Sequence, residues 1–180
     1  MDREIQRLIL DFAELGRTIT PDDVPDLVKG LSNRINIDET VLDYSPESLM
    51  KVEKALFDYH KHIESNPISD KDMVLLIRQI AAYTGQTIVV QCNGKWWDKS
   101  ISLWGSSILV CKPVKTYKGP EVRKSRRRGY SAAQNAAYFW DNIGNDKEDI
   151  EGFFYRELMA LGKDVWVEGV TKRWLKKKSR

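Results

Sequence analysis

The hydrophobic period of this 180-residue chain changes near Gly85, and that change limits what it can fold into. Upstream, apolar residues recur at helical spacing. Ser45-Pro46-Glu47-Ser48 opens one helix, with Ser45 as cap and Pro46 presetting the backbone. Leu49, Val52, Leu56, Tyr59 and Ile63 then form a narrow stripe to about Glu64. Ser69-Asp70-Lys71-Asp72 opens a second helix over 69–84. Its Met73, Val74, Leu76, Ile77, Ile80 and Ala81 cover more than one face, which marks it as central. Two further patterns lie upstream. Residues 3–15 carry Ile5, Leu8, Ile9, Phe12 and Leu15, and a short helix after Thr20-Pro21 carries Val24, Leu27, Val28 and Leu31.

Downstream of Gly85 the residues read as strands. Residues 86–92 are rich in β-branched side chains. Asn93-Gly94 is a strong hairpin signal, and Lys95-Trp96-Trp97 begins the return strand. Residues 101–104 and 107–114 follow as short strands. The expected fold is therefore α+β: an antiparallel three- or four-stranded sheet over about 86–114, packed by helices on its N- and C-terminal sides. Residues 115–128 read as an irregular loop broken by Gly119-Pro120. Ser131 caps an Ala-rich helix from Ala132 to about Asn142. Asp146 caps another over 147–161, with Ile150, Phe153, Phe154, Leu158 and Leu161 turned to a core. One α+β domain over 1–170 and a basic tail over 171–180 are expected.

Charge is segregated along the chain. The first 72 residues hold nine Lys/Arg against sixteen Asp/Glu. Lys112, Lys115, Lys118, Arg123, Lys124, Arg126, Arg127 and Arg128 face Glu121 alone in the run 112–128. The tail adds Lys172, Arg173, Lys176, Lys177, Lys178 and Arg180 with no acid. A net charge of +3 hides this asymmetry. Basic surfaces attract phosphate or acidic protein and steer association. The run 124–131 leads into a helix start, where N–H groups favour an anion. Lys124, Arg126, Arg127, Arg128 and Ser131 are thus candidate anion or partner contacts, with Tyr130 able to stack on a base. Lys172, Arg173, Trp174 and Lys176 are candidates in the tail. Trp96 and Trp97 must point to opposite faces of a strand. With Trp104, they are candidate interface aromatics.

Other chemistry finds little support. His60 and His62 are the only histidines, and a spacing of two puts them on different helix faces, so no metal site is expected. Asp70 and Asp72 suit a helix N-terminus. No phosphate-binding Gly-rich loop, catalytic triad or cofactor motif is present in the sequence. Cys92 and Cys111 read as reduced, buried thiols of a cytoplasmic protein. No signal-type segment or membrane span is expected.

Leu42-Asp43-Tyr44-Ser45-Pro46-Glu47-Ser48-Leu49, then Val52-Glu53-Lys54-Ala55-Leu56, Ala81-Ala82-Tyr83-Thr84-Gly85-Gln86 and Asn93-Gly94-Lys95-Trp96 resemble a pattern in many uncharacterised small bacterial proteins. There a D-Y-S-x-E-S-L helix start precedes A-A-Y-x-G-E, a hairpin and G-G-x-W. Some of those families look like immunity proteins or partners in bacterial conflict systems. The resemblance covers about 42–114, and this chain departs from it at Gln86, where the pattern has Glu. It implies a non-enzymatic, immunity-like protein acting by stoichiometric protein–protein contact. The alternative is a nucleic-acid-binding protein using the basic loop 123–131 and the tail.

Overall fold

The computed structural model describes residues 18–97, 107–112, 126–143 and 150–162. Five helices dominate them: α1 (Val24–Ile35), α2 (Pro46–Ser65), α3 (Asp70–Gln91), α4 (Ala132–Asn142) and α5 (Phe153–Gly162). The expected helix at 3–15, the strand at 101–104 and the tail lie outside the described residues.

Local chemistry starts these helices where their caps stand. Thr20 and Asp23 hydrogen-bond reciprocally at the short 3-10 turn before α1, Thr20 donating its N–H to Asp23 Oδ2 over 2.9 Å. Ser45 Oγ accepts the Ser48 N–H at 3.1 Å ahead of α2. Ser69 Oγ accepts the Asp72 N–H at 3.1 Å and donates to its carboxylate at 2.6 Å ahead of α3. Each contact satisfies groups that a helix N-terminus leaves unbonded.

Helix α3 is the axis of the fold. It packs on α1 and α4, and also on α2, α5 and strand β2 (Ser107–Lys112). Leu76, Ile77, Ile80, Ala81, Ala82, Tyr83, Thr87 and Ile88 are all buried along it. By length and composition it meets the minimum for crossing a membrane, but 72% of its most apolar window is buried inside the protein. Gly30 on α1 leaves room for the buried Gln79 amide of α3: a Cβ there would lie 2.3 Å from Gln79 Nε2, so the amide would have to shift.

The expected α+β architecture is overturned, because the described residues are mostly helical and residues 86–91 are the last turns of α3. Burial decides this. Thr87 and Ile88 extend the buried face of α3, and tertiary packing outweighs a β preference of about 1 kcal/mol. The Thr84 and Thr87 hydroxyls donate back to the Ile80 and Tyr83 carbonyls, each at 2.9 Å, so they do not compete with the helix. Asn93-Gly94 closes the helix and turns no hairpin. Asn93 has φ 50°, and the Gly94 N–H donates to the Val89 carbonyl at 3.0 Å, the six-to-one bond of a left-handed C-cap. Asn36 (φ 52°) ends α1 the same way, with Ile37 N–H on the Ser32 carbonyl at 3.0 Å.

What extended structure there is consists of β1 (Lys95–Trp97), β2 and β3 (Arg126–Ser131), short segments paired antiparallel in that order. Trp96 is opposite Ile108, and Ile108 is opposite Tyr130. β3 falls where a loop was expected. Helix α5 starts later than expected, at Phe153, after a turn through Gly152 at φ +70°.

Candidate functional site

Strand β3 carries Arg126, Arg127 and Arg128 into α4. The register sets Arg126 opposite Lys112, Arg127 opposite Cys111 and Arg128 opposite Val110. A like-charged pair directly opposite on neighbouring strands is destabilising without a counter-charge. Four cationic residues therefore share one end of this strand pair. Two expectations for the segment need correction. Tyr130 is only 3% exposed, so its ring belongs to the core and is closed to base stacking. Ser131 does precede α4, but its hydroxyl makes no capping bond to the helix, and Ala132 and Ala133 behind it are buried.

Trp96 is half-buried against the core, its indole N–H donating to Gln86 Oε1 at 2.9 Å. It is a packing residue, against the expectation of an interface anchor. Trp97 lies in β1. Lys124, Trp104, Lys172, Arg173, Trp174 and Lys176 lie outside the described residues.

The residues that carry the resemblance meet in space. Tyr44 stacks on Tyr83 with ring centroids 5.5 Å apart. The Tyr83 hydroxyl lies 2.5 Å from Ser48 Oγ, which itself donates to the Ser45 carbonyl at 2.7 Å. Gln91 Nε2 donates to the Tyr44 carbonyl at 2.9 Å, and Asp43 accepts the Ser45 N–H at 2.9 Å. Tyr44 stands at φ 58°, unusual for a bulky side chain; its ring stack and the Gln91 bond hold it there. Burial pushes the Tyr83 hydroxyl up to about 12, so it stays protonated at physiological pH. The hydrogen bonds to Thr40 and Ser45 hold Asp38 and Asp43 below the ordinary carboxylate range. These groups lock α2 to α3 and to the chain before α2.

His60 packs its ring on Trp140 at 5.0 Å, with Nδ1 3.7 Å from Glu64 Oε1, and burial lowers its pKa. His62 is exposed. Asp72 lies 3.5 Å from Arg34, a partner on α1. Among the described residues no group of three metal-binding side chains forms.

Sequence reasoning missed Glu53. On α2 it stands between Val52 and Leu56, 3% exposed. Its Oε1 accepts the Phe154 N–H at 2.6 Å, and the Gly152 and Tyr155 N–H groups also face the carboxylate. It therefore caps α5 from a helix a hundred residues away in sequence. A carboxylate four residues after Leu49 and three before Leu56, inside an apolar stripe, was the signal. Burial raises its pKa from 4.5 to about 7 against the pull of those N–H groups and of Arg156. Burial also raises the pKa of the Tyr130 hydroxyl, whose neighbours include Thr84, Asn135, Glu53 and Glu157. Glu157 is raised by burial as well.

A pH dependence follows. A carboxyl with a raised folded-state pKa binds more protons folded than unfolded. Its contribution to stability is complete below pH 4.5 and is lost as pH rises through about 7. A shift of this size corresponds to about 3 kcal/mol. Glu53→Gln keeps the accepting oxygen and removes the titration. By urea denaturation, the variant is expected to match the parent at about pH 4 and exceed it in stability at about pH 8. A variant that is no more stable at pH 8 would refute the assignment.

No family model, curated protein or solved structure matches this chain.

Proposed function

We propose that this chain is a non-enzymatic, immunity-like binding protein that holds an acidic protein partner stoichiometrically through its arginine-rich segment. The observation that carries the reading is the β2–β3 register, which sets Lys112 opposite Arg126 and continues with Arg127 and Arg128. Acidic side chains of a partner supply the counter-charge and speed the encounter. The resemblance to immunity-like families points the same way. The polar residues that carry it are engaged in internal bonds at Ser45, Ser48 and Tyr83, which supports a scaffold role for them.

Nucleic acid is the second reading, since phosphate answers the same positive charge. The burial of Tyr130 removes the one base-stacking group that reading had on this segment. The two separate by salt and nuclease. Phosphate contacts lose affinity steeply with salt, by about a thousandfold or more between 50 and 200 mM for six or more contacts. Recovery of nucleic acid, with bound protein lost after nuclease treatment, would replace the protein reading with this one.

A further inference from the structure

We infer that Glu53 and the α5 N-terminus it caps form a proton-responsive latch that sets how firmly α5 is docked on the rest of the fold. Three observations carry this. First, the Glu53 carboxylate is buried and accepts the Phe154 backbone N–H. Second, the described charged group on α5 that attracts it, Arg156, is bonded through its guanidinium to the Glu151 carbonyl. No salt bridge to Glu53 forms among the described residues. Third, the other described titratable groups around it add no positive charge. Tyr130 comes from β3, with its hydroxyl buried beside Thr84 of α3 and Asn135 of α4 but in hydrogen-bonding geometry with neither. Glu157 comes from α5 and is itself raised by burial, and Tyr155 of α5 is raised by burial and by Glu47 of α2.

The direction follows from electrostatics. A charge in a site of low dielectric without a cation is costly, and the helix N-terminus offsets only part of that cost. Protonation removes the charge and leaves a carbonyl oxygen to accept the Phe154 N–H. The latch is therefore closed when Glu53 is protonated and loosens as the proton leaves near neutrality. Phe153 and Phe154 stand behind it, packed on Phe139 with ring centroids 6.1 and 4.6 Å away. Loosening α5 uncovers an aromatic cluster.

The test is amide hydrogen exchange of the full chain at pH 5.5 and 8.5, each corrected for intrinsic exchange rate. Amides of residues 154–158 are compared with those of 76–88 in α3. The expected result is a loss of protection of about tenfold or more in 154–158 at the higher pH, the scale of one pKa unit, with α3 unchanged. In Glu53→Gln that loss is expected to disappear. Equal loss in both segments, unchanged protection in the parent, or the same loss in the variant would each overturn the latch. A carboxyl NMR titration of Glu53 in the parent gives a readout that needs no variant. A midpoint near the ordinary 4.5 would also overturn it.

Discussion

Phe139→Ala is expected to cost about 3–5 kcal/mol, the range for removing a fully buried aromatic ring. Phe139 sits on α4 with no exposure. Its ring meets Phe57 of α2 edge-on at 5.8 Å, and Phe153 and Phe154 of α5 at 6.1 and 4.6 Å. One side chain thus joins the consecutive helices α4 and α5 to α2, which lies far earlier in the chain. Truncation leaves a cavity lined by three other aromatics, which cannot close without moving α5. In a chain of this length each kcal/mol lowers the melting temperature by about 2–4 °C, so thermal unfolding should shift by roughly 6–20 °C. Met50→Ala, at a side chain 40% exposed, is the control and should stay within about 0.5 kcal/mol. A Phe139→Ala shift as small as the Met50→Ala shift would show that the four-ring cluster is not a structural centre.

Tyr83→Ala is expected to cost a similar 3–5 kcal/mol, and here the loss divides into parts. Tyr83 is fully buried, stacked on Tyr44 and hydrogen-bonded to Ser48. Because Ser48 Oγ donates to the Ser45 carbonyl, the tyrosine hydroxyl is left as the donor between the two. Tyr83→Phe keeps the ring and removes that donor, for about 1–1.5 kcal/mol. Ser48→Ala removes the acceptor and orphans the phenol inside the core. The double variant Ser48→Ala/Tyr83→Phe removes both partners, so its cost should fall short of the sum of the singles by about 1 kcal/mol. Strict additivity in urea unfolding would mean that the two hydroxyls do not depend on each other. The α2–α3 lock would then rest on the rings alone.

Where α1, α2 and α3 begin was legible in the residues, because caps are local. Ser45, Ser69 and Thr20 act at the positions their side chains suggested. The stripe of Leu49, Val52 and Leu56 was legible for the same reason, and all three are buried without exposure. Where α3 ends was not. Residues 86–92 suit a strand by intrinsic preference, and an Asn-Gly pair supplies a left-handed residue both to a tight hairpin and to a helix C-cap. The choice between them is made by the burial of Thr87 and Ile88, which arises only once the whole chain is assembled.

The candidate site divides along the same line. Charge in 112–128 was visible as composition, but its pairing across β2 and β3 depends on register with a segment some twenty residues away. The burial of Tyr130 follows from that pairing and from α3, neither of which is encoded nearby. The role of Glu53 was signalled only by its place inside an apolar stripe, because its partner N–H groups lie on α5. Local chemistry announced the caps, while long-range packing decided which polar residues serve the core.

The most direct measurement is stoichiometric capture from nuclease-treated native lysate by the full chain and by a variant carrying Arg126→Glu, Arg127→Glu and Arg128→Glu. Both proteins are first matched for thermal unfolding, and the captured partner is then titrated at 50 and 200 mM salt. The expected result is one acidic protein held in equimolar amount by the parent and lost by the variant, with retention by the parent after nuclease. Equal capture by parent and variant would contradict the assignment of the arginine segment as the contact surface. Loss of all bound protein on nuclease treatment would contradict the protein-partner account itself.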